Sequence, residues 1–221
     1  MELSIKLLIY THAFFGGIGL VSGLMSIFVK KGGFNHKKAG KVFSYSMVIS
    51  ALISLVIAVL PNHENTFLFL IGVFTIYLVL AGNRALTLKN ASKLKADWID
   101  KTISALMLFA SLIMIVIGII GLIRHNNSAI LFIFFGGFGA FLSLNDFYIF
   151  KTFKQKKNAW LMNHYGRMIG ALIASITAFL VAALNIGTLT IWISPTILGT
   201  AYIIYWNQKL NKKSKPETLK S

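Results

Sequence analysis

Cysteine is absent from this chain, acidic residues number six against 22 basic ones, and proline occurs three times in 221 residues. Without cysteine there are no disulfides, no thiolate metal sites and no thiol nucleophile, and the redox compartment is left open. Six acids are too few for a carboxylate-rich dimetal site. The five histidines are not spaced as ligands either, since no His-x-x-x-His, Glu-x-x-His or His-Glu-x-x-His occurs. Charged residues of both signs make up only 13% of the chain against 56% hydrophobic residues, and the mean hydropathy is +0.73. That is far too apolar for a soluble domain of this length, so an integral membrane protein is expected. The formal charge of +16 does not point to nucleic acid, because the cations sit in short segments between apolar runs, where they govern insertion.

What is present is a series of seven apolar runs, approximately 4–29, 42–60, 67–86, 102–123, 129–150, 164–187 and 189–206. Each is near the length of about 20 residues that a helix needs to cross a hydrocarbon core. The first two flank the basic loop Lys30–Lys41, KKGGFNHKKAGK. Every basic residue except Lys6 and Arg124 falls on one side of the resulting topology, in the segments after runs one, three and five and in the tail. The expectation is an all-α membrane protein of seven transmembrane helices with the N-terminus outside and the C-terminus cytoplasmic. Residues 1–208 form one transmembrane domain, and 209–221 a basic, disordered cytoplasmic tail. The first run reads as a retained helix, since it is long, lacks an A-x-A site and ends at Lys30-Lys31. Pro195 is expected to kink helix seven.

Two hexads differ at one position: Phe14-Phe15-Gly16-Gly17-Ile18-Gly19 and Phe134-Phe135-Gly136-Gly137-Phe138-Gly139. Each precedes a basic segment and an Asn-His pair, Asn35-His36 and Asn163-His164, and Asn83 and Asn145 each precede a tryptophan by fifteen residues. The pattern reads as three helical hairpins of like orientation plus a seventh helix. His12, Gly16, Gly19, Gly23 and Ser26 share one helix face, and Gly166, Gly170, Ala174, Ala178 and Ala182 recur every four residues. Such faces permit close helix approach in lipid, so helices one and six are expected at the centre.

Polar groups inside apolar runs mark candidate sites, because they are costly in lipid and turn toward the bundle interior. His12 lies about 12 Å along the first run. Asp146 is the only acid within a run, and its candidate partners at similar depth are Arg84, Arg167 and His164. The resulting candidate is a polar, cytoplasm-facing ligand pocket of His36, Asn83, Arg84, Asn145, Asp146, His164 and Arg167, with His12 as a separate candidate ligand or proton-handling group. The competing reading is interfacial, with the arginines snorkelling to headgroups and Asn163 and Asp100 capping helices six and four. No cofactor is named by these residues. Haem is the one group weighed, with His36 and His164 near a common depth and His12 toward the other leaflet.

His12, Gly16, Gly19 and Gly23, followed after the basic loop by His36-Lys37-Lys38-Ala39-Gly40, resemble the first two helices of a family of bacterial multi-pass membrane proteins built on a domain of unknown function. The resemblance covers about sixty residues and implies a bacterial inner-membrane location; it assigns no catalytic residue. Three roles remain open: binding or transport of a small, anionic molecule; a histidine-ligated redox protein or enzyme; and a structural or assembly protein whose partner is the lipid bilayer alone. Oligomeric state is not readable from the residues.

Overall fold

The computed structural model describes residues 2–90, 92–156, 158–184 and 188–214. Seven helices account for most of them: α1 Glu2–Phe28, α2 Phe34–Ile57, α3 Thr66–Ala85, α4 Trp98–Ile123, α5 Ala129–Thr152, α6 Ala159–Ala178 and α7 Leu189–Ser214. All seven are long and apolar enough to cross a membrane, and the chain is a multi-pass membrane protein.

Local chemistry sets the helix ends. Asn65 caps α3 by accepting from Leu68 N at 2.9 Å. Asp97 N donates to Asp100 Oδ2 at 2.9 Å and so closes the start of α4, the capping role expected of Asp100. Lys31 folds back to donate to the carbonyls of Ser26 and Ile27, satisfying the end of α1. One 3-10 turn, Leu86–Lys89, extends α3, and one π turn, Phe179–Ala183, extends α6.

Helices α2, α6 and α7 have limits that differ from expectation. α2 begins at Phe34, so most of the expected basic loop Lys30–Lys41 is the start of that helix. α6 begins at Ala159, so Asn163 stands inside it and is not its cap; Asn158 holds that position with φ 64°. The amphipathic turn Ala159–Asn163 has one apolar side that packs inward with Leu88 and Phe153, which is enough to keep it helical below the apolar run. α7 continues past Pro195 to Ser214, and residues 215–221 of the proposed tail lie outside the described residues.

The core is built around α3. It packs on α2, α4 and α6; α1 lies on α2, α5 on α4, and α7 on α6. α3 buries ten residues, Tyr77, Leu78 and Val79 most completely, whereas α1 buries only Ile5, Gly19, Ser22 and Gly23. α1 is therefore peripheral, contrary to expectation. Its small residues bring it against α2 and, at one point, α6: a Cβ on Gly19 would lie 2.6 Å from Met47 Sδ, and one on Gly23 2.8 Å from Phe43 and 2.9 Å from Leu172 of α6. The remaining surface of α1 is open to lipid. The second hexad does the same work toward α4, where Gly136 and Gly139 meet Met114, Met107 and Ser111. Away from the lysine-rich end, Phe67 of α3 makes edge contacts with Phe132 of α5 and Trp192 of α7, with centroids 5.0 and 5.2 Å apart.

Candidate functional site

Four helices converge on Asp146. Gly139, Ser143 and Asp146 lie on one face of α5, and all three are buried. The close approach at Gly139 draws that face against α4 and α3. Asp146 is 1% exposed and lies about 9 Å from the lysine-rich end of α5, at 1.5 Å per residue. Its Oδ1 accepts from Arg167 Nη2 of α6 at 2.6 Å and from Asn163 Nδ2 at 3.4 Å. Its Oδ2 accepts from Tyr77 OH of α3 at 2.6 Å and from Ser104 Oγ of α4 at 3.0 Å. Arg167 is 4% exposed, donates also to Leu142 O at 2.8 Å, and stands 5.9 Å from the centre of the Tyr77 ring. Burying a carboxyl group is costly unless a cation and several donors lie beside it, and here both are supplied.

A second polar cluster lies closer to the lysine-rich end. Arg84 Nε donates to Asp100 Oδ1 at 2.6 Å and its Nη2 pairs with Asp97. Lys93 Nζ donates to Asp97 Oδ2 at 2.8 Å, Asp100 Oδ2 at 3.0 Å and Thr87 Oγ1 at 2.8 Å. The Lys93 hydrogen bond, with that from Arg84, holds the Asp97 carboxyl below the usual carboxylate range. Between the clusters is a cavity of about 10 Å³, lined on its polar side by Arg84, Asp100, Ser104, Asp146 and Asn163. Asn163 Oδ1 and Arg167 Nε are buried and find no partner among the described residues.

The other expected site residues are distributed differently. His12 Nδ1 lies 2.9 Å from Ser50 O, and Ser50 Oγ donates to His12 O at 2.9 Å, so this histidine stitches α1 to α2. His36 Nδ1 donates to Ser26 O at 3.0 Å and His164 Nδ1 to Gly82 O at 2.8 Å; a carbonyl only accepts, so both rings carry the proton on Nδ1. Asn83 Nδ2 reaches Ser44 Oγ at 3.0 Å, and Asn145 is half-buried on α5 outside the cavity lining. Of the expected partners of Asp146, Arg167 is the one that meets it; Arg84 is held by Asp97 and Asp100, and His164 by Gly82. Among the described residues, no three His, Asp or Glu side chains gather as metal ligands.

Tyr77, Ser104 and Lys93 belong to these clusters without having been singled out in the sequence. Tyr77 is the only tyrosine of α3, and Ser104 and Ser111 are seven residues apart on one face of α4, a signal of the same kind as the glycine faces. No family model, curated protein or solved structure matches the chain.

Proposed function

We propose that this is a bacterial inner-membrane protein that binds or transports a small anionic molecule through a cytoplasm-facing site. Arg167 is the anion ligand, and Asp146 is the group that occupies Arg167 when no anion is bound. The observation that carries the reading is the sealed Asp146–Arg167 pair at the meeting of four helices. Ionisable residues at membrane depth mark ion and substrate pathways far more often than they serve packing. An anion can replace Asp146 on Arg167 without leaving two buried negative charges only if Asp146 takes up a proton. Anion entry is thus tied to one proton, and the buried charge stays balanced. The lysine-rich end is the cytoplasmic one on the positive-inside rule, and it supplies a cationic rim that attracts anions.

The test is proton movement in proteoliposomes carrying a pH-sensitive dye, driven by gradients of the monoanions chloride, acetate or dihydrogen phosphate. Wild-type protein is expected to couple at least one of these gradients to proton uptake, and Asp146→Asn and Arg167→Gln to lose the coupling while remaining folded. Indifference of wild type to all three would count against the reading.

One observation favours a structural role instead: the cavity beside the pair holds no more than a water-sized sphere. In that case the pair is a clamp between α5 and α6, and the double replacement Asp146→Leu with Arg167→Met preserves whatever cellular phenotype the wild-type protein supports.

A further inference from the structure

We infer that the cavity between the two polar clusters seats one water molecule, and that this water carries protons between Asp146 and Asp100. The inference rests on the proposed protonation of Asp146 and names the route by which the proton arrives. Size is the first argument. A cavity of about 10 Å³ has room for roughly one water. Chemistry is the second, because a buried water requires two to four polar partners. Asn163, 6% exposed, lines the cavity, and its buried Oδ1 finds no donor among the described residues. Ser104 Oγ has spent its proton on Asp146 and retains lone pairs. Arg84 and Asp100 stand on the far wall.

The groups that face Asp146 are Tyr77 from α3, Ser104 from α4, and Asn163 and Arg167 from α6. Those that face Asp100 are Arg84 from α3 and Lys93 from the α3–α4 connection. None of the donors to Asp146 is itself an acid able to deliver a proton near neutral pH. Asp100, the other carboxylate that lines the cavity, is the group through which one can pass. Uptake by Asp146 is the reverse of release, and on release the O–H bond of protonated Asp146 breaks and a new O–H bond forms on the water, while the water gives one of its own protons to the Asp100 carboxylate. Asp146 is left negative and Asp100 neutral, and the water is unchanged in composition. Asp97, half-exposed and bridged to Asp100 by Lys93 and Arg84, leads from there to the solvent.

Infrared spectroscopy of the purified full chain tests this directly. The carbonyl band of protonated Asp146 is identified by its loss in Asp146→Asn, and its rate of shift on transfer to D2O is followed. Ala85→Val fills the cavity without removing a charged or hydrogen-bonding group of either cluster, and is expected to slow that shift by about an order of magnitude. Asn163→Leu, which removes the acceptor, is expected to do the same and stands in if Ala85→Val does not fold. Wild-type exchange rates in both variants would overturn the relay. Absence of an assignable Asp146 band between about pH 4 and pH 9 would overturn the relay together with the proton-coupled exchange. Fast wild-type exchange, slowed by cavity filling, with no anion-driven flux would leave the relay standing and remove the transport reading alone.

Discussion

At Asp146 the energetics are those of a buried ion pair, and they make removal of one partner very different from removal of both. Asp146→Ala leaves the Arg167 guanidinium buried without a counter-charge, and a loss of about 3–5 kcal/mol is expected in detergent unfolding measurements. Asp146→Leu with Arg167→Met removes both charges and should recover most of that loss, so the double-mutant cycle reports a large coupling energy. Ser104→Ala deletes one of four donors and should cost about 1 kcal/mol. Asp97 makes a pH prediction of stated sign. Its carboxyl is held low in the folded state, so its contribution is fully present above the ordinary carboxylate pKa and is lost as pH falls through the depressed folded value. Lys93→Ala should flatten the acid limb of a stability-against-pH curve measured in detergent. Much of this was legible at the level of residue type. Asp146 stands out as the only acid in an apolar run, but three cations were available to it. The choice fell to Arg167 because Arg84 is drawn back by Asp97 and Asp100 across the turn at the end of α3.

Among the elements, the small-residue face of helix one predicts close helix contact, and the two Phe-Phe-Gly-Gly hexads make such contacts on the same two of their glycines. Gly16 and Gly19 face α2, Gly136 and Gly139 face α4, while Gly17 and Gly137 meet nothing within 4 Å. Gly139→Ala would set a Cβ 2.5 Å from Met107 Cε and Ser111 Oγ, and should cost about 1–3 kcal/mol in thermal unfolding. Gly137→Ala should be neutral or stabilising by up to about 1 kcal/mol, since it improves helix propensity and touches no neighbour. The periodicity of the small residues revealed which face of a helix packs. It did not reveal against which neighbour, because α1 turns its face to the helix that follows it and α5 to the helix that precedes it. The same limit explains why α1 was expected at the centre: a tight contact on one side says nothing about the other sides. α3 takes the central place with large side chains such as Phe74, Tyr77 and Leu78, which carry no distinctive period in a helix that is apolar all round.

For the molecule as a whole, the absence of cysteine makes the proposed orientation directly measurable. Single cysteines placed at Asn35 in the first turn of α2 and at Asn126 between α4 and α5 offer two labelling sites in an otherwise silent chain. With a membrane-impermeant maleimide on intact cells, Asn126→Cys should label and Asn35→Cys should not; the reverse result would invert the topology. Membrane class and helix number were determined by sequence alone, because each helix satisfies its own backbone hydrogen bonds and must be apolar along its length to lie in lipid. The expected orientation, which the labelling tests, rests on how lysines are distributed between loops and on no contact between helices. Only the tertiary structure decided that α3 is the axis, that Asp146 pairs with Arg167, and that Tyr77, Ser104 and Asn163 complete its shell. Those are contacts between helices. In a chain whose helices are apolar on every side, several packings bury the same kind of surface, and shape and the few polar groups select among them.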